Sequence, residues 1–349
     1  MPAPLAVDIV VTSYDYARFL PAAIDSALAQ DHPRVRVIVV DDGSQDGSPG
    51  IVTGYGDRVH PILKANGGQA SAFNAALAAC EGDVVLFLDA DDELEPGAAS
   101  RVAGVLAAEP GLAKIQWRMT AIDGEGRPTG ATLPPPGLPL PQGDQRAAEL
   151  AYSFDLTWMA TSGNAFPRRI LERIMPMPEG PYRVNADWYL QHLTPLLGPV
   201  RSLDEPLSRR RFHGENAYGS DTGQLDLGQL RTTIVTAAAT RGEIGRLAAE
   251  LELTRPPGPL LAVSDQANRL ISLRLDPGRH PIAGDTRRGL VRGGLRAAAR
   301  RTDVSPALRV AFRAWFVAMA LAPRRLALHL GTWFAFPERR PALRRQAGA

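Results

Sequence analysis

Short apolar runs alternate with helical patterns over the first hundred residues. Val7-Asp8-Ile9-Val10-Val11 has the nearly continuous β-branched character of a buried strand, and a turn and a helix from about Arg18 to Gln30 follow it. Val35 to Val40 is a second such run and Val59 to Leu63 a third. A helix from about Gln69 to Cys80 then leads to a fourth strand, Val84-Val85-Leu86-Phe87-Leu88. Strands that alternate with helices predict βαβ units on a parallel sheet. Ligands of such sheets bind beyond the carboxyl ends of the strands. Three polar motifs fall at those ends: Thr12-Ser13, Asp41-Asp42 and Asp89 to Asp92.

Beyond this region the pattern changes twice. Residues 124–145 are rich in Gly and Pro, including Pro134-Pro135-Pro136, and read as a surface loop or a short polyproline segment. Mixed strand and helix resume from Tyr152 through Phe166, Asp187 and His213. After about Leu225 the chain becomes Ala-, Leu- and Arg-rich and reads as helical. The expected organisation is an α/β domain over 1–222 and a helical, Arg-rich extension over 223–349.

Composition adds one asymmetry. The net charge is only +2, yet from Thr286 onward there are 14 Arg against two acids, Asp303 and Glu338. The remaining 25 basic and 35 acidic residues leave residues 1–285 at about −10 and the tail at about +12. One cysteine, Cys80, excludes an internal disulfide. No basic segment or small-residue cleavage site precedes the first strand, so a cytoplasmic protein is expected.

The carboxylates Asp89, Asp91 and Asp92 repel one another and invite a compensating cation. Mg2+ is usually held by one or two carboxylates plus phosphate oxygens. An acidic loop capping the helix near Pro96 is the ordinary alternative. Asp41-Asp42-Gly43-Ser44 suits hydrogen bonding to a base or ribose, or merely an Asx turn. Asn66-Gly67-Gly68-Gln69 is a turn before a helix N-terminus, where backbone N–H groups can face an anion. Asp187 is either a helix cap or a general base, and His213 a metal or pyrophosphate contact or a surface histidine.

Together these motifs resemble glycosyltransferase family 2. The resemblance rests on Val11-Thr12-Ser13-Tyr14-Asp15-Tyr16, Val39-Val40-Asp41-Asp42-Gly43-Ser44, Asn66 to Asn74 and Leu88-Asp89-Ala90-Asp91-Asp92, in that order and over roughly residues 5–115. It continues more loosely to about residue 220. It implies an α/β GT-A fold: a Rossmann-like, mostly parallel central sheet flanked by helices. It also implies a nucleotide-diphosphate sugar donor, Mg2+ or Mn2+, and inversion at the anomeric carbon. Thr12 and Asp42 would contact the nucleoside, with Ser13, Tyr14, Asp41, Asn66, Gln69, Asp89, Ala90 and Asp91 also on the donor. Asp91, Asp92 and His213 would serve the metal, Asp187 would be the base, and Ser162, Gly163, Asn164 and Trp188 would lie on the acceptor side. The acid that commonly precedes the base is replaced by Ala186. That replacement leaves a catalytically silent glycan-binding or assembly subunit as the alternative. A sugar-nucleotide pyrophosphorylase fits less well, because Thr12 to Tyr16 lacks a Gly-rich, Arg-containing loop.

The resemblance therefore implies a non-processive glycosyltransferase of cell-surface polysaccharide or glycolipid synthesis. Its acceptor would be a saccharide or a lipid-linked saccharide. No Gln-x-x-Arg-Trp segment follows Asp187, and no apolar run is long enough to span a bilayer. In the tail, Ser305-Pro306 starts a helix that Pro323 ends, and Arg324-Arg325 precede a second apolar and aromatic run. Aromatic residues beside arginines suit an anionic membrane surface, so residues 305–345 are the candidate for peripheral contact at the inner face of the plasma membrane. Packing on the catalytic domain is the alternative. The acidic first part opposes nucleic acid, and none is expected.

Overall fold

The structure is a computed structural model that describes residues 3–214 and 225–335. It divides into two compact units: residues 1–145 with 157–213, and residues 146–156 with 214–349. The boundary expected between 222 and 223 lies outside the described residues. The short helix at 146–156, expected in the first domain, belongs to the second unit.

In chain order the first unit contains β1 (Val7–Ser13), α1 (Leu20–Leu28), β2 (Val35–Asp41), α2 (Ser48–Gly54), β3 (His60–Leu63), α3 (Gln69–Ala79) and β4 (Val84–Asp89). There follow β5 (Glu93–Leu94), α4 (Ala98–Ala108), β6 (Lys114–Ile122) and β7 (Pro128–Leu133). After α5 (Arg146–Tyr152), which belongs to the other unit, come β8 (Asn164–Pro167), α6 (Arg168–Ile174), α7 (Ala186–Leu197) and β9 (Val200–Arg211). The strands form one sheet in the order β3-β2-β1-β4-β8-β6-β9-β5, with β7 added on β6. Strands β1 to β4 pair in parallel; β1, β2 and β4 are the buried apolar runs, while β3 is a short, mostly exposed edge strand. Beyond β4 the sheet is mixed: β8 is antiparallel to both neighbours, and β6 and β9 are parallel.

Alternation along the strands fills two layers. Ile9 and Val11 of β1 share a core with Leu20 and Ile24 of α1 and Val102 and Leu106 of α4. On the opposite face Phe73 of α3 stacks on Phe87 of β4 at 4.2 Å. The Gly- and Pro-rich stretch expected to be a loop does contain a strand, β7, which is exposed and antiparallel to β6. An edge strand tolerates the Pro and Gly that a central strand would reject.

The second unit contains α5, α8 (Leu227–Glu250), α9 (Val263–Leu275), α10 (Arg287–Arg300), α11 (Pro306–Leu321) and α12 (Arg324–Ala335). The helical reading of the tail holds. The Ser305 hydroxyl accepts from Leu308 N–H at the start of α11, with Pro306 at the first helical position. The start of α9 is capped from a distance: Val263 and Ser264 N–H donate to the Asp155 carboxylate at 2.7 and 2.9 Å. Leu270, Ile271, Leu290, Phe312, Trp315, Phe316 and Met319 form its core. Gly294 of α10 lies so close to the Phe316 ring that a Cβ there would come within 2.3 Å of it. Phe316 is fully buried, so Phe316→Ala should cost about 3–5 kcal/mol. Denaturant unfolding followed by far-ultraviolet circular dichroism would show this as an earlier loss of helix; an unchanged midpoint would refute this account of the core.

Candidate functional site

The carboxyl ends of β1, β2 and β4 lie side by side, and register decides which groups meet. Ser13 is opposite Asp41 and Thr12 is opposite Asp89, so the three sequence motifs form one polar edge. Asp41 is buried, and its carboxylate accepts Gly43 and Ser44 N–H at 3.2 and 2.9 Å, an Asx turn. Gly43 has φ +80°, and a Cβ there would approach Asn66 N to 2.6 Å, so only glycine fits this crossing. Asp42 accepts from Gly67 and Gly68 N–H and from Lys64 Nζ, the last at 2.6 Å. It thereby braces the Asn66-Gly67-Gly68 turn, whose Asn66 side chain accepts from Arg183 at 2.6 Å. Tyr14 is exposed at the end of β1.

Three sequence-distant segments converge on the end of β4. The first comes from β9. Arg211 N–H donates to the Asp92 carboxylate at 2.9 Å, and the Arg211 guanidinium donates to the Asp91 carbonyl at 2.9 Å and pairs with Glu93. His213 Nε2 then lies 3.1 Å from Asp91 Oδ2, with its ring against Phe19 at 4.5 Å. Asp91 and His213 thus form one polar pair although they are 122 residues apart. Ala90, between the carboxylates, is buried in the main core.

The second segment is α7. Gln69 accepts Ala186 N–H at 2.9 Å and donates toward Asp89 at 3.5 Å, tying the start of α7 to the carboxylate cluster. Asp187 sits in the first turn of α7 and accepts from Gln191 at 2.8 Å. Asn185, just before it, adopts φ +62°, a left-handed conformation that Asn tolerates better than most residues. Asp187 is near enough to Asp89 to raise the latter's pKa.

The third segment is residues 161–164. Asp89 N–H donates to Ser162 Oγ at 3.1 Å, Ser208 Oγ donates to the Ser162 carbonyl at 2.7 Å, and Trp117 Nε1 donates to Ser208 Oγ at 2.9 Å. This buried chain of donors fixes β4 against β6 and β9. It also corrects an expectation. Ser162, Gly163 and Asn164 are buried, and the Asn164 amide donates to carbonyls of its own turn, among them Met159 and Ala160. A Cβ on Gly163 would meet Met159 at 2.9 Å. Ser162 supports the Asp89 backbone, and none of the three residues is exposed to an acceptor. Trp188, at the start of α7, is half-buried with its ring edge-on to His192 at 5.8 Å.

Electrostatics single out the cluster. Burial drives the Asp89 carboxyl well above the usual carboxylate range, and Asp92, Asp91 and Asp187 push it further. Burial and Asp91 raise Asp92 to about 7, against the pull of Arg210 and the Arg211 N–H. Asp187 is likewise raised by burial, opposed by Arg210 and His192. The Arg210 charge therefore acts on both Asp92 and Asp187, a role sequence reasoning missed. The signal was the alternation of Arg209-Arg210-Arg211 on a strand: Arg209 and Arg211 both pair with Glu93, which turns Arg210 to the other face.

The residues fit a divalent ion completed by a ligand. Among the described residues no group of three or more His, Cys, Asp or Glu side chains could hold a metal alone. Asp91 and His213 supply two donors, and the mutual repulsion of Asp89, Asp91 and Asp92 shows a local deficit of positive charge. Asp92, expected as a metal ligand, is buried and accepts the Arg211 N–H through Oδ1.

The parallel half-sheet with polar strand ends, continued by a mixed half, is a GT-A fold. A family model described as glycosyl transferase family 2 matches residues 8–174. An uncharacterized glycosyltransferase of Nostoc sp. is 33% identical over 222 residues, 62% of this chain and 67% of that protein. The succinoglycan biosynthesis protein ExoO of Rhizobium meliloti is 41% identical over 98 residues, 28% of either chain. A crystal structure of Staphylococcus aureus TarS residues 1–349 in complex with UDP superposes with TM-score 0.50 at 16% identity, covering 96% of this chain and 91% of that one. The chain belongs to glycosyltransferase family 2.

The raised Asp92 pKa has a consequence for stability. A carboxyl whose folded pKa exceeds its unfolded value of ~3.9 stabilises fully below that value and loses the contribution as pH rises through the folded value, here about 7. Asn can still accept the Arg211 N–H without the charge. Without divalent ions, Asp92→Asn should therefore gain stability relative to the parent between pH 5 and pH 8, by several degrees in Tm at about 2–4 °C per kcal/mol. Melting curves of both proteins at the two pH values decide it; a constant difference would contradict the burial argument.

Proposed function

We propose that this chain is a non-processive, inverting glycosyltransferase that moves a sugar from a nucleotide-diphosphate sugar to an acceptor hydroxyl in cell-surface polysaccharide or glycolipid synthesis. The observation that carries the reading is the convergence of Asp187, Asp89 and the Asp91–His213 pair at one edge of the sheet. Support for the setting comes from the succinoglycan relative, and support for the donor from the TarS complexes with UDP and UDP-GlcNAc.

On this reading the polar edge formed by Thr12, Asp41 and Asp42 takes the nucleoside, and the turn that Asp42 holds lies beside it. Asp91 and His213 would hold Mg2+ or Mn2+, which when bound neutralises charge on the diphosphate. Asp187 takes the proton from the acceptor hydroxyl, and its raised pKa brings it nearer the working pH, where a general base is most effective. Arg210 keeps Asp187 from rising further and so preserves an ionised fraction. One carboxylate suffices, because the departing diphosphate needs charge neutralisation rather than a proton.

Asp187→Asn should lower turnover by about 10²–10⁴-fold, measured as UDP release from UDP-sugars with an acceptor. The parent's activity should fall on acidification with a midpoint above the ordinary carboxylate value of ~3.9, because protonation removes the base. Full activity in the variant would sink the assignment of Asp187 as base; no release of nucleotide diphosphate by the parent with any donor would return the chain to a silent, glycan-binding role. Asp91→Ala and His213→Ala should each weaken Mn2+-dependent nucleotide binding by about tenfold or more, as read by calorimetry, while leaving metal-free binding little changed. Equal binding with and without Mn2+ in the parent would rule out the ion.

A further inference from the structure

Helix α11 is apolar on two faces. Phe312, Trp315, Phe316 and Met319 point into the core of the second unit. Val310, Ala314, Val317 and Leu321 repeat at helical spacing on the other side and are exposed, Val310 at 62% and Leu321 at 80%. In α12, Leu326 and Leu328 are about half exposed, while Ala327 is buried. Among the described residues, the large hydrophobic side chains left exposed number twelve, and seven of them lie between Leu308 and Trp333. A helix with a second apolar face outside its own core presents that face for an interaction.

Charge identifies the occupant. Arg309, Arg313, Arg324 and Arg325 border the apolar positions, and no Asp or Glu occurs from Val304 to Ala335. A second copy docking by two-fold symmetry would set this patch against itself, bringing arginine toward arginine with no acid to pair. Anionic lipid headgroups supply the missing charge, and the acyl boundary takes the apolar side chains. No described helix is long and apolar enough to cross a membrane, which leaves contact at the interface. We propose that the outer faces of α11 and α12 dock the protein on an anionic lipid bilayer, with Val310, Val317 and Leu321 inserted and Arg313 and Arg325 on the headgroups. Residues 336–345, included in the sequence-based expectation, lie outside the described residues. The surface belongs wholly to the second unit, so the proposal stands independently of the transfer reaction.

The test uses the full chain and vesicles of phosphatidylcholine with or without phosphatidylglycerol, in a flotation assay. The chain should float with the anionic vesicles, more weakly with neutral ones, and less as salt rises. Two variants separate the contributions: Val317→Glu with Leu321→Glu, and Arg313→Glu with Arg325→Glu. Each pair should weaken binding by about tenfold or more. All four side chains are exposed, so a parental melting temperature and circular dichroism spectrum are expected and confirm folding. Parental binding by both variants, or no flotation with anionic vesicles at low salt, would overturn the proposal. So would a concentration-dependent dimer in sedimentation velocity that Leu321→Glu abolishes without lipid, since a second copy would then be the occupant.

Discussion

The organising constraint of the first unit is the repulsion among four carboxylates gathered at one sheet edge. Asp89, Asp92 and Asp187 are brought together beside Asp91, and burial penalises the charge of those three. Chain segments hold them there at a cost in electrostatic energy, and each segment contributes a specific compensation. Strand β9 delivers the Arg211 N–H to Asp92 and Arg210 toward Asp92 and Asp187. The turn at 161–164 offers Ser162 to the backbone of Asp89. Gln69 restrains Asp89 and the start of α7 with one side chain. Tolerated repulsion of this sort is the usual mark of a site whose charge balance is completed by a ligand.

The mixed sheet serves that constraint. Strand β8 runs antiparallel beside β4, so the turn at 161–164 that leads into it lies at the carboxyl end of β4. Strand β9 runs in the same sense as β4, and its end returns His213 to the loop after β4. The Trp117–Ser208–Ser162 hydrogen bonds lock that return. Their partners are buried, so losing any one would leave a donor or acceptor unsatisfied, and the geometry of Asp89 is stiff for that reason.

Legibility in sequence followed the physics of each element. Strands β1, β2 and β4 were readable because a central parallel strand is buried on both faces and must be apolar throughout. The carboxylates at their ends were readable as a group, because three polar motifs share neighbouring strand ends; singly, each had a structural use as well, as the Asx turn of Asp41 shows. Strand β9 was not readable: it contains Asp204, Glu205, Pro206 and three consecutive arginines. Its pairing with β6 is irregular near Pro206, where a bulge accommodates a residue that cannot donate to the ladder. The roles of Ser162 and Asn164 were hidden too, because their polar side chains satisfy buried backbone groups and sequence cannot distinguish that use from ligand contact.

The second unit shows the converse case, in which composition was informative and its meaning was set only by packing. Sequence alone shows arginines beside aromatic residues in 305–335, a pattern equally served by a packed helix with solvated arginines. Packing separates the two groups of apolar residues. The aromatic ones, Phe312, Trp315 and Phe316, are consumed by the unit's own core. The aliphatic ones on the opposite face of α11 are left over. Aromatic content was therefore the wrong indicator of the free surface, and helical phase was the right one. An arginine-bordered aliphatic stripe outside the core needs an occupant with apolar depth and negative charge at its rim, and few surfaces other than a lipid bilayer offer both.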